Sequence, residues 1–172
     1  MSKNELANKP GVELEYNSLR SEILKRIELR QQLVSITLTL AGIFLSVGLT
    51  TDLVVLIYPP LAMFLALGWT QNDFRIRGMA TYIREQMETA PIGLGYETYM
   101  QQERARNKGL GAWRFVVMSH SGIFLFTQLM AIGIELSKPT AFTFTPLKWA
   151  LLVIDCIAIL IVVWASGKTL QR

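Results

Sequence analysis

The chain has 172 residues, of which 51% are hydrophobic and 17% charged. The charged share lies well below the roughly 25% of an ordinary soluble domain, which excludes a disordered or nucleic-acid-coating chain. A single cysteine, Cys156, excludes a disulfide scaffold, and one Cys with one His falls short of the about four ligands of a structural zinc site. What remains is an all-α integral membrane protein.

Residues 1–11 read as a flexible N-terminus, polar and closed by Pro10-Gly11. No apolar core precedes residue 33, so no cleaved signal peptide is expected. Apolar residues then fall at Val12, Tyr16, Leu19, Ile23 and Ile27, the three-and-four spacing of one helical face. Glu13, Asn17, Arg20, Lys25 and Glu28 occupy the other face, and Glu22 stands four residues before Arg26, within pairing reach. Nothing breaks this pattern before the first hydrophobic block. The spacing therefore predicts a cytoplasmic helix over 12–32 continuous with the first span, together roughly 57 Å long at about 1.5 Å per residue.

The block from Leu33 to Trp69 carries one charge, Asp52. A bilayer core about 30 Å thick needs roughly 20 helical residues. The block thus fits two spans, TM1 over 33–50 and TM2 over 53–69, joined by a tight turn at Thr50-Thr51-Asp52. In TM1, Ser35, Thr39, Gly42 and Ser46 share a face, and small residues so spaced let helix backbones approach closely. In TM2, Tyr58-Pro59-Pro60 stands within the span, either a hinge or a fixed kink.

Residues 70–114 form a cytoplasmic helical segment. Ile76, Met79, Ile83 and Met87 share one face. Ala90-Pro91-Ile92-Gly93-Leu94-Gly95 breaks the helix, and YETYMQQERARNK follows as a short polar helix. A second hydrophobic block gives TM3 over 115–136 and TM4 over 149–166, separated by the loop-forming SKPTAFTFTPLK. The expected architecture is four transmembrane helices with a small cytoplasmic helical module, built from the N-terminal helix and the TM2–TM3 segment.

Orientation follows from charge. Of the 17 Lys and Arg, fifteen fall before TM1, between TM2 and TM3, or after TM4; only Lys138 and Lys148 lie in the TM3–TM4 loop. The positive-inside rule places both termini and the middle segment in the cytoplasm. Trp69, Trp113, Trp149 and Trp164 fall at or near span ends, where indole rings favour the headgroups.

Polar residues inside the spans are the first functional candidates, because they are costly there. Asp155 lies in TM4; an aspartate at a span centre costs about 2.5–3.5 kcal/mol on insertion scales. In TM3, His120, Ser121, Gln128 and Glu135 fall within about a 100° sector of the helix. These residues read either as the lining of a conduit or as interhelical hydrogen-bonding glue. Outside the spans, Arg104, Arg106, Lys108 and Arg114, with Tyr96, Tyr99 and Trp113 nearby, offer cations and stackable rings to a nucleotide or oligonucleotide. The same cations suit anionic lipid headgroups, at about 1 kcal/mol each. There is no GxxxxGK[ST], HExxH or GxSxG motif and no dense carboxylate cluster. No enzymatic activity, metal or cofactor is expected.

The stretches EYNSLRSEILKRIELRQQLVSITLTLAGIFLSVGL and YPPLAMFLALGWTQNDFRIRGMATYIREQME resemble small bacterial inner-membrane proteins. Their layout is similar to that of transmembrane effectors of anti-phage systems that accompany a nucleotidyltransferase or CRISPR apparatus. The resemblance covers residues 14–90 and implies an oligomer that perturbs the membrane when signalled by a nucleotide, an oligonucleotide or a signalling enzyme. It carries over no site residue. The alternative is a non-conducting anchor or adaptor for a cytoplasmic partner. A transporter is disfavoured by the lack of an internal repeat and of paired broken helices.

A cysteine introduced at Thr51 or Thr140 should label from the periplasm with an impermeant reagent, whereas one at Gly95 should not. Labelling of Gly95 from outside would overturn this orientation.

Overall fold

The computed structural model describes residues 10–88, 95–106, 113–139 and 145–170, and every regular element among them is helical. Helix α1 spans Pro10–Gly48. A 3-10 turn, Val54–Ile57, leads into α2, Tyr58–Tyr82, which ends in a π-helical turn, Ile83–Met87. Helices α3, Tyr96–Arg106, α4, Trp113–Leu136, and α5, Pro146–Leu170, complete the chain. Four stretches are long and apolar enough to cross a membrane: Gly11–Gly48, Val54–Met87, Val117–Leu136 and Pro146–Thr169.

The chain divides into two compact units. The first comprises Met1–Arg30 and Gln71–Phe115, the second Gln31–Thr70 and Val116–Arg172.

In the first unit, the two apolar faces read from the sequence are the faces that meet. Ile23, Ile83 and Met87 are buried, with Tyr16, Leu19, Ile27, Ile76 and Met79 packed around them. Pro10 and Gly11, expected in a flexible N-terminus, open α1, where a proline loses no helical hydrogen bond. Residues 1–9 and 89–94 lie outside the described residues. Asp73, 1% exposed, sits between Arg30 Nη1 at 2.7 Å and Arg77 Nε at 3.0 Å. Arg26 pairs with Glu22 and donates to Asn72 Oδ1 at 3.2 Å. These pairs join α1 to α2 beside the apolar cluster.

In the second unit, Ala41, Val55, Leu56, Tyr58, Ala62 and Ala131 form the core, and Leu40, Phe44, Leu45, Leu53, Leu151 and Leu152 pack against it. Its outward faces are apolar too: Ile43, Leu61, Phe64, Phe126, Leu129, Ile157 and Leu160 are among the exposed side chains. A soluble domain keeps exposed apolar patches small, so an apolar exterior around a packed interior is what a bilayer requires.

Two local expectations change. Tyr58-Pro59-Pro60 lies within the Val54–Met87 stretch but not in the middle of its helix: it follows the 3-10 turn and forms the first turn of α2. The first N–H groups of a helix have no intrahelical acceptor, so prolines there sacrifice nothing and no kink is needed. The stripe of Ser35, Thr39, Gly42 and Ser46 is exposed on α1, not buried among the described residues. Thr39 Oγ1 is satisfied by its own helix, donating to Ser35 O at 3.0 Å. The close approach made by α1 lies one turn further on. A Cβ built on Gly48 would stand 2.5 Å from Val55 Cβ, whereas one on Gly42 would meet nothing within 4 Å. Between these points the chain reverses through Leu53, whose φ of 71° lies in the left-handed region.

Gly48→Ala should therefore destabilise the protein by about 1–3 kcal/mol through overpacking against Val55. Gly42→Ala should be neutral, or stabilising by up to about 1 kcal/mol through helix propensity. Thermal melts of the two variants in the same detergent check the contrast; equal effects would refute it.

Candidate functional site

The end of α4 and the start of α5 are joined by an ion pair. At one end Glu135 Oε1 stands 2.7 Å from Lys148 Nζ. One turn along, Ala131 belongs to the core against which Leu151 and Leu152 pack. The buried positions then continue at matching spacing: Gln128, Phe124 and Val117 on α4, and Asp155, Ala158, Val162 and Ala165 on α5. Each step of three or four residues is one helical turn, so the pairing carries along both helices. Counting turns away from the Glu135–Lys148 pair puts Gln128 on α4 and Asp155 on α5 seven residues from it on each helix, at the same level.

The terminal layer is a closed set of charges. Glu135 is fully buried and accepts from Lys138 Nζ at 2.5 Å while Lys148 Nζ stands against its other oxygen. Lys138 Nζ also donates to Thr51 O at 2.7 Å and lies 3.7 Å from Asp52 Oδ1. Two acids and two lysines bring the α1–α2 turn, the end of α4 and the start of α5 together with no net charge. Lys148 enters on the first turn of α5, whose N–H groups are met by Thr145 O. A shallow cleft of about 640 Å³, lined by Leu49, Leu129, Met130, Ile134 and Lys138 among others, opens beside this cluster.

The layer of Gln128 and Asp155 is different. Both residues are 0% exposed, and all four of their side-chain oxygens and nitrogens lack a hydrogen-bond partner among the described residues. The direct Asp155–Gln128 bond that interhelical glue would make is not formed. Nearby polar groups are committed elsewhere. Tyr58 Oη donates to Thr127 Oγ1 at 2.8 Å, and Thr127 Oγ1 lies 2.9 Å from Ile123 O on its own helix.

His120, the remaining member of the α4 stripe, is half-buried. Its ring stacks on Trp69 with centroids 5.1 Å apart, so it packs against α2 two turns from Gln128.

The expected ligand-binding cluster in the first unit is partly committed. The Arg20 guanidinium lies 4.8 Å above the Tyr96 ring and 2.8 Å from Glu97 Oε1, covering one face of that ring. Glu88 caps α3, accepting from Glu97 N at 2.6 Å and Thr98 N at 2.7 Å. Partial burial pushes the Glu88 carboxyl up. The hydrogen bonds from Thr98 and the two backbone N–H groups, with Arg84 nearby, outweigh it and hold the group below its ordinary value. Tyr99 and Arg106 are exposed, Arg106 reaching only 4.0 Å from Glu103. Arg104 lies on α3, its side chain outside the described set, and Lys108 lies outside the described residues. Sequence reasoning missed Asp73 and its two arginines; the signal available was an acid at four-residue spacing from Arg77.

Among the described residues no three His, Cys, Asp or Glu side chains gather as a metal site. No protein family, curated protein or solved structure matches the chain.

Removing Glu135 would take the acid away from buried Lys148 and from part-buried Lys138 together. Glu135→Ala should cost about 3–5 kcal/mol, the range for breaking a buried pair. Lys148→Met in the same chain should recover part of that loss. Melting temperatures of the single and double variants test it, and a double variant less stable than Glu135→Ala would refute the pairing.

Proposed function

We propose that the protein is a multi-pass protein of the bacterial inner membrane. Its first unit and both termini face the cytoplasm, and it acts as an oligomeric, signal-gated effector or channel. The observation that supports this reading is the layer of Gln128 and Asp155, buried and unpartnered inside a helical pair apolar enough to cross a bilayer. Ionisable groups at such depth are expensive and are retained where ions or protons are handled. Polar glue would be hydrogen-bonded across the helices, and this layer is not. Acidic side chains at a constriction draw cations, so Asp155 is the residue on which conduction would depend.

The orientation draws support from the terminal cluster. Lys138 and Lys148 are the two cations on the opposite side from the other fifteen, and both are neutralised by Glu135 and Asp52. That side therefore carries no unpaired positive charge to oppose the positive-inside rule. The resemblance to anti-phage effectors supplies the class of signal, a nucleotide, an oligonucleotide or a signalling enzyme. Arg104, Arg106, Tyr99 and Lys108 are the residues to meet it. A second reading, a non-conducting anchor or adaptor, is favoured by one fact: Arg20, Arg26, Arg30 and Arg77 are already held by acids or amides of their own unit. In that reading the cations build a scaffold.

Ion flux through purified protein in liposomes separates the two. Asp155→Asn keeps the shape and removes the charge. Under the channel reading it should change conductance or cation preference while crosslinking reports an unchanged oligomer. Conductance and selectivity untouched by Asp155→Asn would overturn the channel and leave the anchor.

A further inference from the structure

Four carboxylates are buried among the described residues: Asp73, Glu97, Glu135 and Asp155. Three have their cations within the chain. Asp73 has Arg30 and Arg77, Glu97 has Arg20, and Glu135 has Lys138 and Lys148. Asp155 has none among the described residues, and neither of its oxygens accepts a hydrogen bond from them. The nearest lysine on its own helix, Lys148, is seven residues away, about 10 Å along the axis. It is already occupied by Glu135. An unpaired charge in an apolar interior is among the costliest things a fold can hold. The rest of this fold avoids it.

We propose that the counter-charge of Asp155 comes from outside the chain, and that Asp155 and Gln128 form an intramembrane site for a monovalent alkali cation. The ligand atoms on offer are Asp155 Oδ1 and Oδ2 and Gln128 Oε1, all buried without a hydrogen-bond partner among the described residues and put at one level by the turn count from Glu135–Lys148. Water completes the shell of a cation that is not fully stripped. The Gln128 Nε2 group, also without a partner, is a donor to such water. A single negative charge selects a single positive one. Glu135 and Asp52 add no net charge near the site, because their two lysines balance them. The contrast within one hairpin is chemical: one acid is supplied with lysines and closed, the other is left open to exchange. The proposal rests on the reading of α4–α5 as a membrane-crossing pair that handles ions, and names the ion class.

The test is the melting temperature of the purified full-length protein in detergent. Sodium or potassium chloride is titrated against choline chloride at fixed ionic strength and pH. Binding to the folded state alone stabilises it by mass action. Going from one-tenth to ten times the half-saturating concentration should raise the melting temperature by about 3–5 °C. Asp155→Asn should flatten the curve. Gln128→Met, which keeps the volume and removes the oxygen, should move half-saturation several-fold higher and serves if Asp155→Asn does not fold. A wild-type melt indifferent to alkali cations would overturn the proposal, as would a response that persists in Asp155→Asn. A response to pH with none to sodium or potassium would also overturn it, assigning the counter-charge to a proton. Liposome flux run in parallel keeps the two readings apart: binding without flux retains the site and removes the channel, and flux without cation-dependent melting does the reverse.

Discussion

The pairing of Glu135 with Lys148 and Lys138 fixes where the end of α4 meets the start of α5 in the second unit. A helix that slides by one turn against its neighbour still finds apolar contacts, because leucine and isoleucine are interchangeable partners in hydrocarbon. A buried carboxylate does not have that freedom. It must meet its lysine or stand unpaired, at a cost of several kcal/mol. With Glu135 held to Lys148, Ala131 and the Leu151–Leu152 pair belong to one cluster, and the turn count puts Gln128 and Asp155 at one level a turn deeper. Lys138 extends the same clamp to the carbonyl of Thr51 and so ties in the turn between α1 and α2. The polar layer is thus positioned by an ion pair two turns away.

The first unit uses charge in a related way. Its apolar cluster is small: three fully buried side chains, with five partly buried around them. Asp73 between Arg30 and Arg77, and Glu97 against Arg20, hold helices together where that cluster alone is thin. Such pairs contribute less by their net energy than by penalising wrong alignments, since each alternative strands a buried acid. The consequence for ligand binding is direct. Arginines that sit close in sequence are not free cations when their neighbours in space are acids. Among the described residues of α3, Tyr99 and Arg106 stay exposed, with no acid closer to Arg106 than Glu103 at 4.0 Å.

The small-residue stripe of α1 makes the same point about packing. Ser35, Thr39, Gly42 and Ser46 carry the spacing that favours close helix approach, yet they face outward. The actual close approach is at Gly48, forced by the turn that brings Val55 back over the end of α1. Small residues permit proximity; chain reversal decides where it happens.

The sequence by itself determined the helical class, the four apolar stretches, and the two amphipathic faces that meet in the first unit. These follow from periodicity and from the length of helix needed to cross hydrocarbon, both of which are local properties of the chain. It also singled out Asp155, Gln128 and Glu135, because polar groups inside apolar runs stand out without a structure. It did not separate them. One acid and another look alike at the same spacing, and whether each has a cation depends on which helix lies opposite and in what register. Only the tertiary structure decided that Glu135 is closed by two lysines and that Asp155 has no partner among the described residues. It likewise decided that Asp73 is a buried pivot between two arginines, and that the prolines after Tyr58 begin a helix rather than bend one. Partnership across helices is a long-range property, and burial acquires its energetic meaning only when the partner is known.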